Sequence, residues 1–164
     1  MKSSVLKTIS ITRVILIFLI GLLLSSCAGG RKVRKEQVAT VISTAKSFTG
    51  TPYRYGGTTR AGMDCSGLIL QSYSRAGIQL PRTSDAQSKS GKKVSIAELK
   101  TGDLVFFATG KRRRQVTHAG IVTDARSRGN IRFIHASTSL GVIEDNIMSD
   151  YWRPKFVRAR RIIK

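Results

Sequence analysis

The chain has 164 residues, with 29 Lys and Arg against 9 Asp and Glu, a formal charge of +20 and a hydrophobic fraction of 41%. That length bounds the protein to about one domain, which can bury a proper core without disulfide staples. The charge excess favours an anionic partner, but no aromatic-interleaved basic strand and no zinc-finger spacing accompany it, so nucleic acid is not expected.

Residues 1–26 read as an export signal: Lys2, Lys7 and Arg13 precede the apolar run Val14 to Leu24, and small Ser25 and Ser26 follow. A membrane-spanning helix is the competing reading, but that run is far shorter than the ~20 residues needed to cross a bilayer. Leu24-Ser25-Ser26-Cys27 resembles the bacterial lipobox, which implies cleavage before Cys27 and lipid joined to its sulfur as a thioether, with palmitate expected on the lipoprotein. Ala28 then favours outer-membrane sorting, facing the periplasm, if the host is a diderm bacterium. Two cysteines in an exported chain would ordinarily invite a disulfide, whereas a lipidated Cys27 leaves Cys65 alone. A lone thiol is either reactive or an inert core residue, and its neighbours must decide.

A short tether leads to Val38, Val41, Ile42, Ala45 and Phe48, whose spacing predicts an amphipathic helix ending at Thr49-Gly50. The expected organisation is thus a signal over 1–26, a lipidated tether over 27–36 and one domain over 37–164. The Gly- and Tyr-rich stretch Thr51 to Gly57 is read as a loop running to Asp64, a good N-cap residue. A second helix is predicted from Cys65, burying Leu68, Ile69, Ser72, Tyr73 and Ala76, with Gly77 at C′. Ser84-Asp85-Ala86-Gln87 and Ser95-Ile96-Ala97-Glu98 both have the spacing of a capping box and announce short helices. Strands are predicted over Leu104 to Thr109, Val116 to Asp124, Ile131 to Ser137, Val142 to Asn146 and Phe156 to Ile162. Helices first and antiparallel strands second make an α+β domain.

Cys65 stands at a helix start, where free N–H groups and the helix dipole favour a thiolate and can hold an oxyanion. Gly67, just inside that helix, fits a place where substrate or a neighbouring element comes close. A cysteine nucleophile needs a base, and the chain has only two histidines, His118 and His135. If their strands form a hairpin, its midpoint falls in the turn Ala125 to Asn130. The two imidazoles are then cross-strand neighbours or nearly so, giving a line of nucleophile, base and orienter. Either histidine taken alone could be purely structural. A zinc site from Cys65, both histidines and Asp64 is the sharper rival, weakened by the absence of paired Cys-x-x-Cys or His-x-x-x-His spacing.

Five ordered blocks carry a resemblance: Thr51-Pro52-Tyr53-Arg54-Tyr55-Gly56-Gly57; Asp64-Cys65-Ser66-Gly67; Leu80-Pro81-Arg82-Thr83-Ser84; Gly102-Asp103-Leu104-Val105-Phe106-Phe107; and His118-Ala119-Gly120-Ile121-Val122. Together they resemble the NlpC-type, papain-like peptidoglycan endopeptidases, above all the lipoprotein members, over about Val38 to Arg160. The resemblance implies a papain-like α+β fold with N-terminal helices packed on an antiparallel sheet, and Cys65 as nucleophile, His118 as general base and His135 as its orienter. It further implies Tyr53 beside the nucleophile assisting the oxyanion, Asp64 shaping the site, and Arg82 and Ser84 bordering the substrate groove. No cofactor or metal is implied. The bond cut is D-γ-glutamyl–diaminopimelate or the D-alanyl–diaminopimelate cross-link. Expected partners are peptidoglycan, a membrane through Cys27, and anionic envelope polymers or lipid headgroups, with the protein a monomer in the cell envelope. A catalytically idle wall-binding lipoprotein and an acyltransferase acting on lipid stay open as alternatives. The basic insert Gly110 to Gln115 and the long hairpin Ala125 to Asn130 depart from the family's pattern, and both bear on specificity.

Overall fold

The computed structural model describes Arg13 and residues 29–164. The expected signal, apart from Arg13, and the lipidation candidate Cys27 lie outside the described residues. Helix α1 covers residues 29–47, so helical backbone begins earlier than the apolar periodicity suggests. Its residues 31–36 are exposed, and a compact unit starts at Gln37 and runs to Lys164. Within that unit α1 buries Val41 and Ala45 completely, as the spacing requires.

Where a plain loop was expected, Thr58–Thr59 (β1) and Gly62–Met63 (β2) form a small antiparallel hairpin. Helix α2 follows, Cys65–Arg75, capped by the Asp64 carboxylate and closed by Gly77 at a φ of 78° that glycine tolerates best. The expected inward face is borne out for Leu68, Ile69, Ser72 and Tyr73, all fully buried, and Ala76 is half-buried. Helix α3, Ser84–Gln87, corrects the first capping box. Its N-cap is Thr83, while Gln87 is buried and donates to the carbonyls of Ser66 and Pro81 at 3.1 and 2.8 Å instead of reaching back to a cap. The second box holds: the Ser95 backbone N–H donates to Glu98 Oε2 at 3.0 Å, although the turn Ile96–Glu98 it opens is 3₁₀ rather than α.

The five predicted strands are present as Leu104–Phe107 (β4), His118–Ser127 (β5), Asn130–Ser137 (β6), Gly141–Asn146 (β7) and Phe156–Arg161 (β8). A sixth, Lys92–Val94 (β3), is too short and too polar to read as a strand; its pairing with β8 creates it. The sheet order is β3-β8-β4-β5-β6-β7, antiparallel throughout. Period-two alternation gives this sheet two apolar faces. Leu104, Phe106, Ala119, Ile121, Ile134 and Ala136 pack with α1 and α2, whereas Val105, Phe107, Val122, Phe133 and Ala159 pack with Trp152 and Ile147. Burying both faces explains why β4 is apolar at all four positions rather than alternating.

Candidate active site

Asp64 is the centre from which the Cys65 side of the site is built. Its Oδ1 accepts from the backbone N–H of Gly67 at 2.6 Å and from Ser66 Oγ at 3.0 Å, and its Oδ2 accepts from the N–H of Gly56 at 2.9 Å. Arg82 adds a two-pronged contact, Nη1 to Oδ1 at 3.1 Å and Nη2 to Oδ2 at 2.7 Å, and also donates to Ser66 Oγ at 2.8 Å. Burial works to raise the Asp64 pKa, but the hydrogen bonds from Arg82, Gly67 and Ser66 outweigh it and hold the carboxyl below its ordinary range. One acid therefore caps α2, ties the Tyr55-Gly56 turn to it and recruits Arg82. Gly67 is required for packing: a methyl there would collide with the carbonyl oxygen of Gly57, so the close neighbour is backbone.

Cys65 is only 8% exposed and opens on a cavity of about 300 Å³ lined by Tyr53, Tyr55, Asp64, Arg82, Ser84 and Thr117, among others. Burial, reinforced by the Asp64 charge, pushes the thiol up to about 11, while N–H groups of Ala119, Ser66 and Cys65 itself pull the other way. Tyr53 is half-buried and its pKa is raised by burial, with Cys65 and Asp64 adding to the shift. Its phenol is thus a neutral donor beside the thiol. All the residues that the sequence assigned to the nucleophile and groove share this one cavity.

The histidines pack with Phe133 and Trp152, on the sheet face that also carries Val122, and His118 is the first residue of β5. Thr117 lines the cavity and the Ala119 N–H reaches the thiol, so His118 sits in the chain between two residues that touch the cysteine's surroundings. Its Nε2 lies 2.9 Å from His135 Nδ1, with the rings edge to face at 4.9 Å. The two are diagonal rather than directly opposite, because the register Ile121↔Ile134 and Val122↔Phe133 points His135 toward Gly120. Gly120 makes the diagonal contact feasible: a Cβ there would stand 2.6 Å from the Phe133 ring and 3.2 Å from His135 Cβ. Burial, then the neighbouring His135, lowers the His118 pKa to about 3, against a smaller raising effect of Asp145. His135 is 1% exposed, and burial lowers its pKa too, although its hydrogen bond to Asp145 opposes that. Both imidazoles are therefore neutral at pH 7.

Two residues of this region escaped the sequence reading. Asp145 Oδ2 lies 3.0 Å from His135 Nε2 and 3.0 Å from Trp152 Nε1. The Trp152 ring in turn stacks on His118, at 5.3 Å between centroids and 23° between planes, while Phe133 stacks on His135 at 4.7 Å. A signal for Asp145 did exist: in the β6–β7 hairpin His135 pairs with Ile143, which puts Asp145 on the His135 face one diagonal step away. Trp152 follows β7 in an irregular segment, and no periodicity announces it. Among the described residues no group of three or more His, Cys, Asp or Glu converges as a metal site would require.

A thiol, a neutral imidazole and free N–H groups at a helix start can together carry out acyl transfer. Comparison with known proteins bears on which chemistry the chain belongs with. The model of the NlpC/P60 family matches residues 50–161. The chain belongs to the NlpC/P60 family. It is similar to the probable endopeptidase NlpC of Escherichia coli K12, 40% identical over 159 residues, covering 92% of this chain and 99% of that one. It is also similar to the murein DD-endopeptidase MepS/murein LD-carboxypeptidase of the same organism, 42% identical over 117 residues and covering 71% of this chain but 58% of that protein. Among solved structures, an NlpC/P60 family protein from Bacillus cereus superposes with a TM-score of 0.69 at 31% identity, covering 77% of this chain and 40% of the other. The α+β fold with helices packed on an antiparallel sheet is the fold of this family.

Proposed function

We propose that the protein is a cysteine endopeptidase that hydrolyses peptide bonds in peptidoglycan stem peptides. The observation that carries this reading is the placing of Cys65 at the capped start of α2, its thiol reached by the N–H of Ala119, next in the chain to His118, whose Nε2 lies 2.9 Å from His135 Nδ1. It is supported by the similarity to a protein named as a probable endopeptidase over 92% of this chain and to one named as a murein DD-endopeptidase over 71% of it.

In this reading His118 takes the Cys65 proton as sulfur attacks the scissile carbonyl, and the thioester-linked acyl-enzyme forms as the C–N bond breaks. The proton passes from His118 to the leaving amine, and His118 then activates the water that hydrolyses the thioester. His135 orients His118. The N–H groups at the start of α2 and the neutral Tyr53 phenol hold the oxyanion. With the thiol raised to about 11 and His118 lowered to about 3, thiol and imidazole rest uncharged, and the thiolate forms only during attack. Asp64 fixes the cysteine's helix and Arg82 its groove wall, with Ser84 on the cavity rim.

The bond cut is the D-alanyl–diaminopimelate cross-link or the D-γ-glutamyl–diaminopimelate bond, and the DD-endopeptidase name of the MepS relative makes the cross-link the first to try. The protein acts at the cell envelope as a monomer, anchored through lipidated Cys27 after loss of residues 1–26, with 27–36 as tether and 37–164 as the catalytic domain. Arg113, Arg114 and Lys155 line a second cavity of about 650 Å³ with no acidic residue in its wall, which supports contact with anionic envelope polymers or lipid headgroups. Digestion of chemically defined muropeptides, read by mass spectrometry, tests the reading. The wild-type chain should release fragments that name the bond and Cys65→Ala should release none; binding of sacculi without cleavage by either would leave a wall-binding lipoprotein instead.

A further inference from the structure

We propose that Asp145 is a positioning residue: its carboxylate fixes the tautomer of His135 and, through it, leaves His118 Nδ1 bare to receive the Cys65 proton. This inference rests on the reading of Cys65 and His118 given above.

The argument follows from which atoms can donate. A carboxylate only accepts, so His135 Nε2, 3.0 Å from Asp145 Oδ2, carries a hydrogen. A neutral imidazole protonated at Nε2 has a lone pair at Nδ1. His118 Nε2, 2.9 Å from that lone pair, must therefore be the donor. The one remaining ring nitrogen, His118 Nδ1, is then an acceptor. Reversing the chain would set the bare His135 Nε2 against a carboxylate oxygen and place the His118 proton on Nδ1, where it could not accept one from sulfur. No proton passes to Asp145 in the reaction; His118 gains one at Nδ1 and returns it to the leaving amine, while its Nε2–H stays directed at His135.

Trp152 makes the arrangement rigid. Its indole N–H holds the same Oδ2 at 3.0 Å, and its ring covers the face of His118. Burial opposes ionisation of Asp145, but the hydrogen bonds from Trp152 and His135 outweigh it and keep the carboxyl below its ordinary range, so it is an anion throughout the working pH span. The charged or titratable groups around the relay are Cys65 with Asp64 on the α2 side, the two histidines on β5 and β6, and Arg132 on β6, which acts on Asp145. Phe107 on β4 and Phe133 on β6 close the rest of the box without charge.

Because the chain has only two histidines, ¹⁵N-histidine labelling reports both tautomers directly. In the wild-type chain both imidazoles should carry their proton on Nε2; a His118 proton on Nδ1 would overturn the proposal without reference to any substrate. Asp145→Asn keeps the shape but loses the charge, and His135 should then populate the other tautomer. On a defined muropeptide the same variant should lose at least about tenfold in kcat with KM unchanged. Its acid limb should move to lower pH, since the carboxylate that raises both imidazoles is gone, and Asp145→Glu should recover part of both effects. Wild-type tautomers together with an unmoved acid limb in Asp145→Asn would reduce Asp145 to packing. A wild-type chain that cuts no muropeptide would instead sink the endopeptidase reading, while the labelling arm still decides the tautomer.

Discussion

The two halves of the site are built by opposite means. The Cys65 side is local: Asp64, Cys65, Ser66 and Gly67 are consecutive, and the cap, the thiol and the close-packed glycine all follow from the first turn of one helix. The histidine side is assembled from three strands and a following irregular segment, with His118, His135, Asp145 and Trp152 linked side chain to side chain. One side is held by many hydrogen bonds to a single acid, the other by a chain of side chains in which each imidazole nitrogen in the chain has one partner. The first should fail gracefully and the second abruptly.

Several changes sharpen or break that contrast. The largest effects belong to the proposed nucleophile and base: Cys65→Ala and His118→Ala should each lower turnover of a defined muropeptide by about 10³-fold or more, and the double variant should be hardly worse than either. A multiplicative loss in the double variant would show that the two do not act as a unit. Next comes Asp64→Ala, which removes the helix cap at a cost of about 1 kcal/mol and leaves the partly exposed Arg82 without its acid. Thermal unfolding should show the loss, with activity reduced but measurable. Gly67→Ala should destabilise by about 1–3 kcal/mol through its collision with the Gly57 backbone, and an unchanged melting temperature would remove the packing argument for that glycine.

The pH dependence has a definite sign. His118 has a folded-state pKa of about 3, below its ordinary value near 6.5, so the unfolded chain binds more protons between those values. This contribution to stability is complete above pH 6.5 and is lost as pH falls toward 3; urea titrations across that range should show it. The raised thiol predicts that iodoacetamide alkylates Cys65 slowly at pH 7 and faster as pH climbs toward 11, with no plateau at low pH. The smallest effect is expected in the basic insert, where Arg112→Gln, Arg113→Gln and Arg114→Gln should each leave stability within about 0.5 kcal/mol. Combined, they should weaken sacculus binding most at low salt.

The same contrast explains what could be read from the sequence. Asp64 as cap, Gly77 as terminator and the buried face of α2 are legible because helix geometry fixes them within a few residues. The five longer strands are legible from composition, whereas β3 exists only because β8 lies beside it. Midpoint reasoning makes His118 and His135 cross-strand neighbours or nearly so, and where β5 and β6 pair sets the diagonal offset between them. Ser84 looked like a cap until Thr83, one residue earlier, took that role and Gln87 turned into the interior. Asp145 could have been found by applying the same hairpin reasoning to β6 and β7, but Trp152 could not, since only tertiary packing carries it over His118.

The central claim is that Cys65 forms a covalent acyl intermediate with a stem peptide, and rapid acid quenching followed by peptide mapping tests it most directly. A muropeptide mixed with the wild-type chain should leave an adduct on Cys65 alone, with the mass of the acyl half of the substrate, and none in Cys65→Ala. Release of the same products without any adduct on Cys65, or by the Cys65→Ala chain, would contradict the account.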